Sequence, residues 1–214
     1  MNPERIPYGR DATRFFELRH PNSEVAGLCG FIHGGFGRVK YDLSYLNPLC
    51  ATLAAVGVTT ANLEYRRVGQ PGSGWPGRLR MLLPESKLRA NSLVACRLSL
   101  AICRGHLTLG SAAEIQLMGK PQIGYWSNAN YCFQSDGLLR QAVVEFMGGT
   151  PVAIPHRYEE ASGNSHASLA PSLMVHGRND ADVPFDITRA FMWTRRNDPS
   201  RRVCSRFWGQ AKWI

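Results

Sequence analysis

The segment that most restricts what this chain can fold into is Gly30-Phe31-Ile32-His33-Gly34-Gly35-Phe36. Val25 to Ile32 holds no proline and no charge and is rich in apolar, β-prone residues, the pattern of a buried strand. His33-Gly34-Gly35 then interrupts it. Paired glycines permit positive φ and let the backbone approach a ligand closely. The N–H groups of Gly34, Gly35 and Phe36 can then point at an oxygen that gains negative charge, an approach that bulkier residues would obstruct. His33 is read as a supporting residue of this loop, and the backbone as the part that does the chemistry.

The stretch after this turn reads as α/β. Apolar residues recur at Leu43, Leu46, Leu49, Leu53 and Val56, so a helix is predicted from Leu43 to Val56, with Pro48 early enough to be tolerated. Gly57 ends it, and Val58 to Leu63 is a predicted strand. Strand, helix and strand in that order imply a parallel crossover. Glu64-Tyr65-Arg66-Arg67 then falls at the strand's carboxyl end, where α/β sheets keep their ligand sites. Two readings of Glu64 with Arg66 and Arg67 stand side by side, a buried ion pair under the site or a strand end on the surface. A Gly/Pro loop follows over 69–77.

Farther on, Gly105 to Glu114 reads as helical, and Leu139 to Met147 as a helix capped by Gly148-Gly149. Leu173 to His176 is a predicted short buried strand. Asp186 to Trp193 is a predicted last helix, with Asp186 near its N-cap. Residues 78–99 and 120–137 show no firm period of either kind.

With 214 residues, 44% of them hydrophobic and 19% charged, the chain can build one sizeable core. No linker or repeat divides it, so a single domain over 1–214 is expected, with 78–138 and 195–214 poorly patterned. No apolar run nears the roughly 20 residues that span a bilayer. The start, Met1-Asn2-Pro3-Glu4-Arg5, lacks the apolar core of a secretion signal. Cysteines 29, 50, 96, 103, 132 and 204 are scattered without a Cys-x-x-Cys pair, which points to reduced thiols in a cytoplasmic protein instead of disulfides or a zinc site. The net charge of +9 is dense only in the tail, at Arg195, Arg196, Arg201, Arg202, Arg206 and Lys212. These basic residues do not interleave with aromatics in a nucleic-acid motif, so they read as solvated charge.

Four segments together resemble an α/β-hydrolase of the small esterase and kynurenine-formamidase-like branch. They are His33-Gly34-Gly35-Phe36, Leu63-Glu64-Tyr65-Arg66-Arg67-Val68-Gly69 with Trp75-Pro76-Gly77, Phe146-Met147-Gly148-Gly149-Thr150-Pro151, and His176-Gly177-Arg178-Asn179-Asp180-Ala181-Asp182-Val183-Pro184. The last is similar to the family's His-Gly-x-x-Asp-x-x-Val-Pro, in which the aspartate is the triad acid. The resemblance implies a doubly wound, mostly parallel sheet, curtailed toward its C-terminus. It also implies hydrolysis of a small carboxylic ester or aryl formamide through an acyl-enzyme, with no metal and no cofactor. Gly34, Gly35 and Phe36 would form the oxyanion hole and Asp180 would orient the base.

The same resemblance exposes two unfilled roles. Such enzymes carry a serine on a sharp strand-to-helix elbow, Gly-x-Ser-x-Gly, followed by an acid and then a histidine. No Gly-x-Ser-x-Gly occurs in this sequence, and a gapless match from His106 puts Ile102 in the nucleophile's place. Ser99 is flanked by Leu98 and Leu100 instead of small residues, and Cys103 reads as an inert core thiol. The last histidine in the sequence, His176, precedes Asp180. A displaced reading frame accounts for this. The family's elbow often runs Ile-Ile-Gly-His-Ser-Ala-Gly-Gly-His-Leu, and codons ATC ATT GGC CAT T…, read from their second base, spell Ser-Leu-Ala-Ile, the residues at 99–102. The expectation is a hydrolase-like protein with impaired or no triad-dependent turnover, or a non-catalytic small-molecule-binding remnant of that fold.

Overall fold

The computed structural model describes residues 2–22, 27–75, 98–103, 106–110, 129–161, 172–196 and 203–208. The unpatterned stretch 78–97, residues 120–128 and the tail beyond 208 lie outside the described residues, as do Pro76 and Gly77. The described strands are β1 (Glu4–Pro7), β2 (Phe15–Arg19), β3 (Gly27–Ile32), β4 (Val58–Leu63), β5 (Leu98–Cys103), β6 (His106–Gly110), β7 (Ser172–Gly177) and β8 (Val203–Trp208). They join one sheet in the order β1-β2-β4-β3-β5-β6-β7-β8. The described helices are α1 (Asn47–Ala55), α2 (Ala129–Gln134), α3 (Leu138–Met147), α4 (Pro155–Ala161) and α5 (Phe185–Arg196). Among the described residues no helix is long and apolar enough to cross a membrane.

The sheet is mixed, which corrects the expectation of a mostly parallel one. The pairs β3–β4, β3–β5 and β7–β8 are parallel, and β1–β2, β2–β4, β5–β6 and β6–β7 are antiparallel. The reversal at β6 has a simple cause. Only Arg104 and Gly105 separate β5 from β6, and a parallel return needs a crossover of about a dozen residues or more. The helix predicted over Gly105 to Glu114 is therefore replaced by a strand over His106–Gly110, and His106 starts that strand instead of a helix. In His106-Leu107-Thr108-Leu109-Gly110 the leucines alternate with a β-branched threonine, a period of two that pairing with β5 selects over the helical one.

The N-terminal readings hold more closely. Val58–Leu63 is a strand with the predicted bounds, and β3 and β4 pair in parallel from Gly27↔Val58 to Ile32↔Leu63. Between them the predicted helix divides. Leu43–Leu46 is a 3₁₀ turn whose N-cap, Asp42, accepts from the Ser44 N–H, and α1 begins at Asn47 with Pro48 in its first turn. A 3₁₀ turn has three residues per turn, so it changes the phase of the apolar stripe. Cys50 consequently faces inward, while Leu49 and Val56 are exposed.

Helix α3 matches its reading, and Gly148 caps it at φ +79 with its N–H on the Val144 carbonyl. Helix α5 likewise carries Asp186 in its first turn. The residues of α2 gave no sequence signal. The larger core cluster gathers Phe36, Cys132, Leu139, Ala142, Val143, Phe146, Met147, Tyr158, Val183 and Ile187, with Val68 and Trp75 packed against it. All four segments of the resemblance contribute to this cluster or to the loops that carry it.

Candidate functional site

Strand register places the candidate residues along one margin of the sheet. Ile32 pairs with Leu63 on one side and Ala101 on the other, so His33, Glu64 and the end of β5 leave the sheet together. His106 pairs with Cys103 and with His176, which brings the β5–β6 corner and the end of β7 to the same margin. Carboxyl ends of parallel strands are where α/β sheets bind ligands.

The turn after β3 has a backbone that needs its glycines. Gly35 lies at φ +104, Phe36 at +54 and Gly37 at +65. A Cβ on Gly35 would meet Tyr41 Cβ at 2.4 Å, closer than side chains tolerate. Phe36 is the one non-glycine described at positive φ, which costs roughly 1–2 kcal/mol. Burying a phenylalanine side chain gains about 1.5–3 kcal/mol, and Phe36 is 5% exposed in the core cluster beside α3. Burial offsets the strain, so the ring anchors the turn while its backbone stays available. The N–H groups of Gly35 and Phe36 have no acceptor among the described residues.

Buried side chains fix where this turn stands. His33 is fully buried; its Nδ1 lies 2.9 Å from the Gly34 carbonyl and its Nε2 3.1 Å from Glu64 Oε1. Both ring nitrogens thus lie within hydrogen-bond distance of oxygen atoms. The ring stacks on Tyr65 at 4.3 Å, and the Tyr65 hydroxyl donates to the His33 carbonyl at 2.6 Å. Glu64 also accepts from the Leu43 N–H at 3.1 Å and the Tyr65 N–H at 2.9 Å, with Arg67 Nε 3.6 Å away. Burial alone would raise its pKa. The His33 hydrogen bond and charge, with the two N–H donors, outweigh burial and hold it below the usual glutamate range.

Of the two sequence readings of this region, the buried pair is the one realised, through Glu64 and Arg67. Arg66 turns away to Asp11 and to the Gly72 carbonyl. Glu64 and Tyr65 are the site residues that sequence reasoning left unassigned. The available signal was a carboxylate at the end of a six-residue buried strand.

Asp180 stands in the loop after β7. Its Oδ1 accepts from the N–H groups of Asp182 and Val183, each at 2.9 Å, so one oxygen is committed to shaping its own loop. Its Oδ2 is 3.8 Å from His176 Nε2, beyond hydrogen-bond distance. His176 is fully buried and already engaged: Nε2 lies 3.0 Å from the Val183 carbonyl and Nδ1 2.6 Å from Thr188 Oγ1. Burial, opposed by the Val183 hydrogen bond and the Asp180 charge, lowers its pKa and keeps it neutral. His176 is a support for the Asp180 loop.

The structure brings Phe36 and Val183 into one cluster, so the β3 turn and the Asp180 loop share a floor. Among the described residues no strand-to-helix elbow follows β5. Ile102 pairs with Leu107 and Ser99 with Gly110, both inside the ladder. Cys29, Cys50 and Cys132 are buried thiols, and burial pushes the Cys50 thiol up to about 11, which keeps it protonated and inert. Among the described residues no group of His, Cys, Asp and Glu is arranged to hold a metal ion.

Solved structures share this architecture. A truncated carbohydrate esterase from gut microbiota aligns with a TM-score of 0.70 at 10% identity, over 97% of this chain and 90% of its own. Esterase B from Lactobacillus rhamnosis aligns at 0.66 and 14% identity, over 98% and 74%. A thermophilic esterase from the Planctomycetes species Thermogutta terrifontis aligns at 0.66 and 15%, over 98% and 82%. The fold is of the α/β-hydrolase type. No protein-family model matches the chain, and no curated protein matches it in sequence.

Proposed function

We propose that this chain is an esterase-like α/β-hydrolase whose oxyanion turn is kept and whose triad-dependent turnover is impaired or lost. The observation that carries the reading is the β3 turn, where Gly35 and Phe36 stand at positive φ and their N–H groups have no acceptor among the described residues. Preorganised N–H groups of this kind stabilise an oxyanion as it forms. The fold shared with three esterases supports the hydrolase class. Gly34, Gly35 and Phe36 would receive the carbonyl oxygen of a small carboxylic ester or aryl formamide, His33 would support the turn, and Asp180 would orient a base. The sequence holds no Gly-x-Ser-x-Gly, and the next described element after β5 is the antiparallel strand β6. Loss of a triad member leaves residual catalysis of roughly 10³–10⁴ over water from the oxyanion site and binding alone.

The second reading, a non-catalytic binding remnant, draws on the same turn, since it asks only for the retained N–H groups. Hydrolysis of p-nitrophenyl acetate and labelling by a fluorophosphonate probe separate the two from an active enzyme. The probe suits the class, because the Thermogutta terrifontis esterase 2 is also solved phosphonylated by sarin. The expected result is no stoichiometric label and turnover near background. Stoichiometric labelling of a serine or cysteine, with turnover blocked by the label, would overturn the reading. Sequencing the coding DNA from codon 78 onward tests the displaced frame. An adjacent frame spelling Gly-His-Ser-Ala-Gly-Gly is the expected result, and its absence means the elbow was lost by substitution.

A further inference from the structure

We propose that Glu64 is the positioning residue of the oxyanion turn, one carboxylate that clasps both ends of the 33–43 loop. The inference rests on the reading of Gly35 and Phe36 as an oxyanion site. At the start of the loop Glu64 Oε1 takes His33 Nε2 at 3.1 Å, and at its end Glu64 Oε2 takes the Leu43 N–H at 3.1 Å. A third donor, the Tyr65 N–H at 2.9 Å, keys the carboxylate to its own backbone. That backbone is rigid because Glu64 directly follows the last β3–β4 pair, Ile32↔Leu63. The geometry of the turn is thereby referred to the sheet.

A second line of support reaches the middle of the loop. Arg67, 3.6 Å from Glu64, donates to the Tyr41 carbonyl, and the Tyr41 side chain covers the space a Cβ on Gly35 would fill. The charged and titratable groups around Glu64 are His33 and Arg67, with Asp42 near both, and Tyr8, whose hydroxyl donates to the Glu64 carbonyl at 2.6 Å. Arg14 and Asp11 lie beyond Tyr8.

A carboxylate has two acceptor oxygens and no donor, and this arrangement uses both. Glutamine has the same size but one acceptor, so Glu64→Gln can hold one end of the loop and turns an N–H toward a donor at the other. The experiment is amide NMR on the full chain. Glu64→Gln is expected to move or broaden the Gly35, Phe36 and Tyr41 amides and leave Gly148 and Gly149, at the end of α3, in place. In the wild type, the Gly35 and Phe36 amides are expected to titrate together with the Glu64 carboxyl carbon, below the ordinary glutamate value of 4.5. A Glu64 carbon that titrates while those amides stay still overturns the clasp, and this arm needs no variant to fold. Unchanged Gly35 and Phe36 amides in Glu64→Gln overturn it as well. Propionate, whose carboxylate oxygen stands in for an oxyanion, tests the underlying reading separately. It should shift the same two amides in the wild type and bind at least about tenfold more weakly to Glu64→Gln, whose loop no longer holds both N–H groups in place, the equivalent of about one hydrogen bond. Wild-type amides unmoved by propionate would sink the oxyanion reading, with the clasp still judged by the ligand-free spectra.

Discussion

Two loops at the same sheet margin each rest on a fully buried histidine, and the two histidines are held by different chemistry. His33, at the end of β3, meets a carboxylate 31 residues away and stacks on Tyr65. His176, at the end of β7, meets the Thr188 hydroxyl and the Val183 carbonyl, 12 and 7 residues away. The first support is a buried carboxylate, paired with Arg67, that reaches His33 across distant segments. The second is a neutral ring within one strand-loop-helix unit. A buried charge pair is geometrically strict and costly to break, because removing one partner strands the other. A neutral hydrogen bond contributes only about 0.5–1.5 kcal/mol net. The β3 turn, proposed as the oxyanion site, carries the strict support, and the Asp180 loop carries the mild one.

The largest test of that contrast removes the carboxylate. Glu64→Ala leaves Arg67 buried without its counter-charge and His33 without its carboxylate partner, and should lower the unfolding free energy by about 3–5 kcal/mol in urea titration at neutral pH. A loss below about 1 kcal/mol would place the pair on the same footing as the His176 support. Gly35→Ala strikes the same loop through its backbone. A non-glycine at φ +104 costs about 1–3 kcal/mol, and its Cβ must also displace Tyr41. Thr188→Val removes the partner of His176 Nδ1 at nearly constant volume, for an expected loss of about 1–2 kcal/mol by the same titration.

Acid should separate the two supports in order. Both groups have folded-state pKa values below their ordinary ones, so each adds stability above its ordinary value and loses it as pH falls. The contribution of His176 should fade first, from 6.5 downward, and that of Glu64 only below 4.5. Residue-resolved NMR during an acid titration should show the 177–188 amides moving before those of 33–43. Simultaneous movement would contradict the assignment of a neutral His176. The smallest effect is expected from Asp180→Asn. Asparagine keeps an oxygen for the Asp182 and Val183 N–H groups, so stability should change by less than about 0.5 kcal/mol.

The sequence by itself determined the elements whose cause is local. The charge-free run ending at His33-Gly34-Gly35, the strand Val58–Leu63 between Gly57 and Glu64, and the helix stopped by Gly148 are each set by residues within a few positions of one another. Periodicity and φ preference act over that range, so they are legible without the fold. Only the tertiary structure decided the rest. His106–Gly110 is a strand because β5 lies two residues away to pair with it, whatever its own preference. Cys50 instead of Leu49 faces inward because the 3₁₀ turn before α1 changed the phase of the stripe. Glu64 could have ended a strand in water. It became a buried clasp because the crossover returned His33 and Leu43 to its two oxygens, and no local pattern records a partner 31 residues away.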